Sequence, residues 1–413
     1  MLRINPFAAL RPLPQFSAHV ASVPFDVLSA AEARAIAASN ELSFLRVTRA
    51  EIDLPPDTDP HSDSVYERAL INFRELQKKG VFVQDDKPGI YIYRLRVVLL
   101  GREVEQTGVV CCCHIDDYNN GLIKKHEKTR QDKEEDRTRH IITINANAGP
   151  VFLLYKNQNQ IEALVQAEIE KEPLYDFTAV DGVRHTIWRT EDPDLYVQAF
   201  ARLDDAYIAD GHHRSASAAR AAAYFRENNA NHTGAEQYNW FLTVLFPADQ
   251  LSVLPYHRVV KDLNGTKPDQ LLRKLKEIGT VEKAGKPEPD EAGSFGMYFE
   301  NRWFRLTLPK ESIINHHPVN SLDYVLLYDR ILNPVLGIGE IRTDQRIDFV
   351  GGIRGTKELE KRVDSGECAV AFAMRAATIN QLLSVADAGM IMPPKSTWFE
   401  PKLRSGLLIH TLD

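Results

Sequence analysis

Two different spacings of apolar residues run along this chain and predict helices and strands in turn. Between residues 65 and 79 the apolar positions are mostly three or four apart, which predicts a helix with one buried stripe. That stripe consists of Val65, Ala69, Leu70, Phe73 and Leu76. Ser29 followed by Glu32 is typical of a capping box, so a second helix is predicted to begin there.

Short apolar runs bounded by turn residues predict the strands. Residues 91–100 and 107–115 flank turn residues 101–105, which is typical of a β-hairpin. The other predicted strands are 43–47, 141–144, 151–155, 240–246, 298–308 and 368–374. Residues 321–332 and 379–388 are predicted helices. Strands and helices occur along the whole chain, which favours an α/β to α+β fold with mixed sheets.

The length of 413 residues exceeds what one hydrophobic core usually serves. We therefore predict two domains, with a soft boundary near the Lys-, Pro- and Glu-rich stretch 265–293. Domain 1–260 is predicted to carry a phosphate-binding site. Domain 261–413 is predicted to be an α+β unit that contributes a basic loop to that site.

Composition and charge narrow the classes of function. The hydrophobic fraction of 44% and the charged fraction of 26% are ordinary for a globular protein, and the net charge of −7 disfavours general binding to nucleic acid or anionic membranes. No apolar run approaches the ~18 residues of a membrane span, and the N-terminus has no signal-peptide pattern, so a cytoplasmic location is predicted. The oligomeric state is left open.

Three of the four cysteines are consecutive, at Cys111–Cys113. Adjacent residues do not suit the usual zinc geometry, and the sequence has no C-x-x-C pair. A reduced, buried strand is therefore predicted here, because cysteine behaves in such places as a small apolar residue.

Residues 206–226 hold the pattern with the clearest chemistry, a short apolar strand that turns at Asp210 and Gly211 directly into an alanine-rich helix. A helix start presents unpaired N–H groups and the positive end of the helix dipole, which suits a phosphate or another anion. Gly211 permits close approach of the backbone, and the predicted binding side chains are His212, His213, Arg214 and Ser215. The alternative is a structural helix with two solvated histidines.

Two further polar segments have complementary chemistry. Residues 125–127, Lys-His-Glu, lie in a charge-dense stretch, and the loop 392–406 combines rigid prolines with cations and hydroxyls. Taken alone, the first is typical of a solvated loop or helix and the second of a surface loop. Together with the turn in 206–226 they offer what phosphoryl transfer requires, provided that the three segments meet in space.

The predicted roles divide into two sets. A carboxylate accepts the proton of a hydroxyl and cations neutralise the transferring phosphate, so the catalytic set is Lys125, His126, Glu127 and Asp210. The loop adds side chains that can donate hydrogen bonds to phosphate oxygens, namely Lys395, Ser396, Thr397 and Lys402. Magnesium, held by phosphates and one acidic residue such as Asp210, is inferred from this chemistry, and the spacing of residues predicts no metal ligand set.

Six short motifs occur in order along the chain and carry a family resemblance. They are Pro24–Val27, Asn40 with Ser43–Val47, Lys125–Arg130, Asp132–Arg137, Asp210–Arg214 and Pro394–Lys402. Through these motifs the chain resembles, over almost its whole length, the prokaryotic family catalogued as domain of unknown function 1015 (DUF1015). It departs from the family at Phe25, where a tyrosine is usual, so no role of that hydroxyl is carried over.

The Asp210–Arg214 turn is also similar, more distantly, to the phosphate site of the ParB-like and sulfiredoxin-like superfamily, and especially to that of free serine kinases. This resemblance implies a ParB-like central mixed-sheet unit with N-terminal and C-terminal α+β elaborations. It also implies that Gly211–Arg214 bind the phosphates of a nucleotide, ATP or ADP. His212 stands where a sulfiredoxin needs a cysteine, which disfavours that activity.

Two classes of function follow from these patterns and resemblances. The first is a nucleotide-dependent phosphotransferase, a small-molecule kinase similar to free serine kinases, or a phosphohydrolase, acting on a small hydroxyl metabolite. The second is a non-catalytic nucleotide-binding regulator or sensor, as ParB-like folds also provide. Neither class needs nucleic acid or a membrane as partner, and a turnover assay against a panel of nucleotides separates the two.

Overall fold

The computed structural model describes residues 1–313 and 317–413 of the chain. Packing among these residues divides the chain into two compact units. The first unit consists of Met1–Leu251 together with Pro401–Asp413, and the second of Ser252–Glu400. The last residues of the chain therefore belong to the same unit as the first ones.

A nine-stranded mixed sheet is the centre of the first unit. Numbered in chain order, the strands of this unit are β1 (Ile4–Asn5), β2 (Leu10–Pro12), β3 (Phe82–Gln84), β4 (Tyr91–Leu99), β5 (Arg102–His114), β6 (Ile123–Lys124), β7 (Ala146–Asn147), β8 (Val151–Tyr155), β9 (Tyr175–Thr178), β10 (Arg184–Arg189), β11 (Ala206–Asp210), β12 (Trp240–Pro247) and, near the C-terminus, β21 (His410–Thr411). The sheet has the order β6-β11-β8-β12-β5-β4-β10-β9, and β1 also pairs with β5. The β6–β11 and β8–β12 pairs are parallel, so the predicted mixed sheet is confirmed.

The first unit also contains α-helices that pack against this sheet and against one another. They are α1 (Ser17–Val20), α2 (Ala30–Ala37), α3 (Leu45–Thr48), α4 (Asp63–Lys78), α5 (Ile115–Asn119), α6 (Gln131–Ile144), α7 (Asn159–Ile169), α8 (Pro193–Phe200) and α9 (His212–Asn228). The predicted capping box starts α2, since Ser29 Oγ accepts from the Glu32 amide and the Glu32 carboxylate accepts from the Ser29 amide. The predicted stripe of α4 is buried except for Leu70, which is half-buried.

The three consecutive cysteines lie in β5, between β4 and β12. All three side chains are buried and their thiols are free, so the predicted reduced, buried strand is confirmed. Cys111 and Cys113 pack into the main core of the unit beside Ile92 and Phe241. Burial raises the pKa of the Cys112 thiol well above its usual range.

Two of the predicted strands are helical instead. Residues 43–47 fall largely on α3, and residues 141–144 are the last turn of α6. Ile141 and Ile144 are three positions apart and both are buried, which is a helical spacing inside a run too short to distinguish a helix from a strand. α6 is followed by Asn145 at a left-handed φ of 52°, a conformation that asparagine tolerates after a helix.

The β4–β5 hairpin has a tighter turn than predicted. Leu100 and Gly101, with φ of 49° and 79°, form the turn, and β5 already begins at Arg102. Two successive left-handed residues are typical of a type I′ turn, whose twist matches that of the flanking strands. Residues 102–105 therefore pair with β4 instead of forming a loop.

A six-stranded antiparallel sheet is the centre of the second unit. The elements of this unit are β13 (Ser252–Leu254), β14 (Tyr256–Val260), α10 (Pro268–Ile278), β15 (Thr280–Lys283), β16 (Ser294–Phe299), β17 (Arg302–Thr307), α11 (Asp323–Leu327) with a π turn (Tyr328–Leu332), β18 (Ile347–Gly351), α12 (Lys357–Asp364), β19 (Val370–Ala373), α13 (Ile379–Asp387) and β20 (Trp398–Glu400). The strand predicted at 298–308 is a hairpin, because Glu300 and Asn301 both adopt left-handed turn conformations. In the part of the chain that is described, no helix is both long and apolar enough to cross a membrane.

The boundary between the units falls earlier than the predicted domain boundary at residue 260. Residues 256–260 form β14, which pairs with β18 and β19 and so completes the sheet of the second unit. Residues 401–413 belong to the first unit, where Ile409 and Leu10 exchange backbone hydrogen bonds. The tail therefore supplies side chains to the unit that contains the predicted strand-turn-helix.

Candidate functional site

The strand, turn and helix predicted over residues 206–226 are present near one edge of the nine-stranded sheet. β11 runs to Asp210, Gly211 has a left-handed φ of 102°, and α9 begins at His212. Among the described residues no side chain caps this helix, so the N–H groups of its first turn remain as donors. The positive end of a 17-residue helix dipole lies directly after a buried strand.

Gly211 is the residue that this turn requires. An alanine at the same φ is strained, and its Cβ would lie 3.2 Å from the guanidinium carbon of Arg214. We expect Gly211→Ala to lower the free energy of unfolding by about 1–3 kcal/mol, as measured by chemical denaturation. Gly285→Ala is the matched control, because that glycine has open space around it and no left-handed φ. Equal losses of unfolding free energy in the two variants would show that the turn does not require glycine at position 211.

Asp210 lies between two cations at the start of α9. Arg214 Nη2 donates to Asp210 Oδ2 at 2.8 Å, and Lys402 Nζ lies 3.6 Å from Asp210 Oδ1. Burial raises the pKa of the Asp210 carboxyl, but the charges of Lys402 and Arg214 outweigh this effect and lower the pKa to about 2. Asp210 therefore orients two cations beside the helix N-terminus.

His126 and His212 are buried and pack edge to face, with ring centroids 4.5 Å apart. The backbone N–H of His126 donates to His212 Nε2 at 3.5 Å. An accepting Nε2 places the proton of the neutral His212 ring on Nδ1, which lies 3.6 Å from Glu127 Oε2. Burial lowers the pKa of His126 to about 4 and that of His212 well below its usual value, so both rings are neutral at pH 7.

Three other predicted residues have different partners. His213 Nε2 accepts a hydrogen bond from the backbone N–H of Arg130 at 3.1 Å. Ser215 is buried, and its Oγ donates to the carbonyl at the N-cap of α9 at 3.1 Å, so this hydroxyl is committed to the helix. Lys125 Nζ lies 3.9 Å from the ring centroid of Tyr118, and burial lowers the pKa of this lysine.

The remaining predicted binding residues lie in the second unit. Lys395, at a left-handed φ of 56°, places its Nζ 5.3 Å from the ring centroid of Tyr256. Ser396 is buried, its Oγ donates to a backbone carbonyl three residues earlier at 2.7 Å, and Thr397 directly precedes β20. Binding of phosphate by these three residues stays a prediction, whereas Lys402 belongs to the unit of Asp210.

A cavity beside Arg214 contains residues that were not predicted from the sequence. It encloses about 50 Å³ within the first unit and is lined by Pro24, Phe25, Thr48, Arg137, His140, Ile141, Ala146, Asn147, Ala148, Gly149, Val151, Arg214, Leu242 and Ser405. Phe25 and Arg137 lie in motifs that the sequence offers, but their place in a common cavity depends on long-range packing. The signal in the sequence was that three of the six ordered motifs contribute to this cavity, with Pro24 and Phe25, Arg137, and Arg214.

Comparison with known protein families covers five of the six motifs, and Pro394–Lys402 lies outside the matched residues. The family described as protein of unknown function (DUF1015) matches residues 4–325 of the chain. The chain belongs to the DUF1015 family. No curated protein matches this DUF1015 sequence significantly.

Solved structures offer only distant likenesses to this DUF1015 chain. A conserved hypothetical protein from Pyrococcus furiosus has 15% identity and a TM-score of 0.34, over 73% of this chain and 94% of its own. A free serine kinase in complex with AMP has 15% identity and a TM-score of 0.34, over 73% and 92%. SbnI with C-terminal truncation from Staphylococcus aureus has 10% identity and a TM-score of 0.38, over 72% and 85%. The ParB-like central unit stays a prediction.

Magnesium binding through Asp210 of this DUF1015 protein stays a prediction. Its two carboxylate oxygens face Arg214 and Lys402. Within residues 1–313 and 317–413, no group of three or more His, Cys, Asp or Glu side chains could hold a metal ion.

Buried neutral histidines make the stability of this DUF1015 chain depend on pH. Burial lowers the pKa of His126 and of His140 from 6.5 to about 4. Between these values the unfolded chain binds more protons than the folded one, so stability is fully present above pH 6.5 and falls as the pH approaches 4. We expect a loss of up to about 1.4 kcal/mol per pH unit for each histidine, measured by denaturation at several pH values.

The same pH series on two variants tests this assignment. His140→Gln removes one of the several buried histidines with a lowered pKa and should reduce the slope of stability against pH between 4 and 6.5, whatever its effect on stability at neutral pH. His19→Gln changes an exposed histidine and should leave the slope unchanged. An unaltered slope in His140→Gln would contradict the assignment.

Proposed function

We propose that this protein binds the phosphates of a nucleotide, ATP or ADP, at the start of α9 and transfers a phosphoryl group to the hydroxyl of a small metabolite. The observation that carries the proposal is the placement of Arg214 and Lys402 on either side of Asp210 at an uncapped helix start. Free backbone N–H groups, a helix dipole and two side-chain cations favour an oxyanion at that point. The resemblance of the Asp210–Arg214 turn to the phosphate site of free serine kinases also supports phosphate binding at this point.

The cations suit the charge that develops in phosphoryl transfer. In the transition state the negative charge is spread over the phosphoryl oxygens, and prearranged donors stabilise it without reorganising. Arg214 and Lys402 are such donors, since Asp210 already orients both of them. An arriving phosphate then takes over part of the Asp210 interaction with each cation.

Glu127 suits the role of the general base better than Asp210. A carboxylate whose pKa is held at about 2 accepts a proton weakly at neutral pH, so we assign Asp210 to the positioning of the two cations. Glu127 is 40% exposed and therefore within reach of a substrate. Its neighbour His212, whose ring is fixed by the His126 backbone, can orient it through Nδ1–H.

The proposed step balances with these residues alone. The hydroxyl oxygen of the metabolite forms a bond to the terminal phosphorus of the nucleotide, and the bond from that phosphorus to the bridging oxygen breaks. The proton of the hydroxyl goes to the Glu127 carboxylate. The bridging oxygen leaves with the shortened nucleotide, and Arg214 and Lys402 stabilise the transferring phosphoryl group. With water in place of the metabolite, the same step is a hydrolysis.

A non-catalytic nucleotide sensor is the second candidate. One observation favours it: the phosphate-binding groups at the start of α9 are complete without Glu127, which lies 3.6 Å from His212. A sensor needs only those groups and a change of state on binding. Both candidate functions therefore need Arg214, and only the enzyme needs Glu127.

A turnover assay separates the candidates. The purified chain is incubated with ATP, ADP or CTP and a panel of small hydroxyl compounds that includes free serine, with and without magnesium, and the nucleotide products are quantified. Protein-dependent formation of a phosphorylated compound or of free phosphate supports the enzyme. Calorimetric binding of an intact nucleotide supports the sensor, and the absence of any binding overturns both.

A further inference from the structure

The cavity beside Arg214 joins segments that are far apart in the sequence. It lies between α6, β7 with the two residues that follow it, β8, and the tail that follows residue 400. Its polar lining consists of Thr48, Arg137, His140, Asn147, Arg214 and Ser405. Apolar side chains, among them Phe25, Ile141 and Leu242, form the rest of its wall. Such a mixture, mainly apolar with a few convergent polar groups, is typical of a small-molecule site.

Arg137 is held in place while part of its guanidinium stays available. Its Nε donates to Asp136 Oδ2 at 2.8 Å, and its Nη1 donates to the Thr48 carbonyl at 3.1 Å. The guanidinium also lies 4.3 Å from the ring centroid of Phe25. In the described ranges no acceptor bonds to its Nη2. Arg137 therefore offers one fixed, charged donor to the cavity.

Two further donors come from Arg214 and Ser405. The Nη atoms of Arg214 are bonded to Asp210 and to the Pro150 carbonyl, whereas its buried Nε has no acceptor among the described residues. Ser405 exchanges two backbone hydrogen bonds with Ser22, at 2.8 and 3.1 Å, and its side chain lines the cavity. A buried donor without an acceptor is costly, so Nε marks a place where a ligand oxygen is favourable.

His140 supplies a hydrogen-bond acceptor to the cavity. Its Nε2 lies 2.9 Å from the Val47 carbonyl, which only accepts, so Nε2 carries the proton. Burial and the nearby Arg137 lower the pKa of this ring to about 4, so it is neutral and its Nδ1 is an acceptor. The cavity thus offers donors for an anion and one acceptor for a hydroxyl or ammonium group on the same ligand.

Charge and size decide which anion fits. The two arginines that line the cavity are each paired with an aspartate, Arg137 with Asp136 and Arg214 with Asp210. A singly charged carboxylate therefore needs less compensating charge here than a phosphate monoester, which carries about −1.5 to −2 at pH 7. A cavity needs a volume of about 10–15 Å³ to hold one water molecule. The cavity of about 50 Å³ therefore has room for a carboxylate with a short carbon chain and not for a nucleotide.

Building on the proposed function, we propose that this cavity is the acceptor subsite and that the acceptor is a small hydroxy acid, whose carboxylate is held by Arg137, Arg214 Nε and Ser405. Gly149 shapes this subsite, because a Cβ at that position would lie 3.0 Å from Ser405 Oγ and 3.9 Å from Arg214 Cδ. A ligand whose carboxylate is held in this way lies beside the phosphate site, because Arg214 belongs to both sites.

Binding of small hydroxy acids to the full chain, without nucleotide, tests the subsite by calorimetry or ligand-observed NMR. Glycolate and glycerate are the probes, and glycolamide is the matched neutral compound. Arg137→Ala should weaken binding of the acids by at least about tenfold, since it removes a charged hydrogen bond, while ADP affinity stays within about twofold. Arg139→Ala is the control, because this arginine of the same helix is 45% exposed and pairs with Asp63 outside the cavity.

A second variant keeps the test valid if Arg137→Ala folds poorly. Gly149→Ala retains every charge and only fills the space beside Ser405, so it should also weaken binding of the acids. Equal binding of glycolate and glycolamide, or equal effects of the two arginine variants, overturns the proposal. Inorganic phosphate that binds in an Arg137-dependent way, without binding of the acids, also overturns it and assigns the cavity to a phosphate group. Arg137-dependent binding of the acids without nucleotide turnover rejects the proposed function alone.

Discussion

Replacing Arg214 by alanine is expected to weaken nucleotide binding by about one to two orders of magnitude. A charged hydrogen bond to a phosphate oxygen contributes about 1.5–3 kcal/mol, and its loss leaves Asp210 paired with Lys402 alone. The remaining pair has no net charge, so the attraction for a phosphate falls as well. Titration calorimetry with ATP and ADP measures the change directly.

The controls for this variant separate binding from folding. Arg214→Ala also removes a partner from a partly buried carboxylate, so its thermal unfolding must be compared with that of the parent chain. Arg220→Ala alters an arginine on the same helix that is 42% exposed and lies near Glu134 and Glu135, and it should bind nucleotide normally. Unchanged nucleotide affinity in a folded Arg214→Ala protein would remove this arginine from the site.

Local sequence was sufficient to predict the strand-turn-helix of the candidate site. An apolar run, a glycine at the turn and an alanine-rich run each favour one conformation, and the three are adjacent in the sequence. The same holds for the capping box at Ser29 and for the buried strand around Cys112. In these places propensity and packing agree, so no long-range information was needed.

Other parts of the fold depended on packing that the sequence does not display. The run 141–144 is compatible with a strand, and it is helical because the helix that begins at Gln131 continues through it. The turn at Leu100 is another case, since a left-handed leucine is uncommon and the predicted loop was longer. The predicted boundary at 260 is also incomplete, because residues 401–413 pack with the first unit and nothing in the local sequence indicates this.

The role of Asp210 shows the same limit at the level of chemistry. From the sequence it is a candidate base, because it is a carboxylate beside a phosphate-binding turn. In the structure Lys402 from the C-terminal tail and Arg214 hold its pKa at about 2, which makes it a counterion instead. A pKa depends on neighbours brought together by the fold, so the assignment of acid and base needs coordinates.

Glu127→Gln is expected to lower turnover by at least about 100-fold, while nucleotide affinity stays within about twofold. The amide has the shape of the carboxylate and can still accept a hydrogen bond from His212 Nδ1, but it cannot take the proton of a hydroxyl. Single-turnover rates measure the chemical step, and calorimetry on the same preparation measures binding. A loss in rate without a loss in binding is the signature of a base.

The outcome for Glu127 also decides between the two candidate functions. Glu135→Gln is the matched control, because Glu135 is 53% exposed, lies on α6 and has Arg220 as its neighbour at 3.8 Å. If both glutamine variants keep full activity, another group takes the proton, and Glu127 leaves the mechanism. If the parent chain binds nucleotide without consuming it, Glu127→Gln should change nothing, because a sensor needs the cations at the start of α9 and no base.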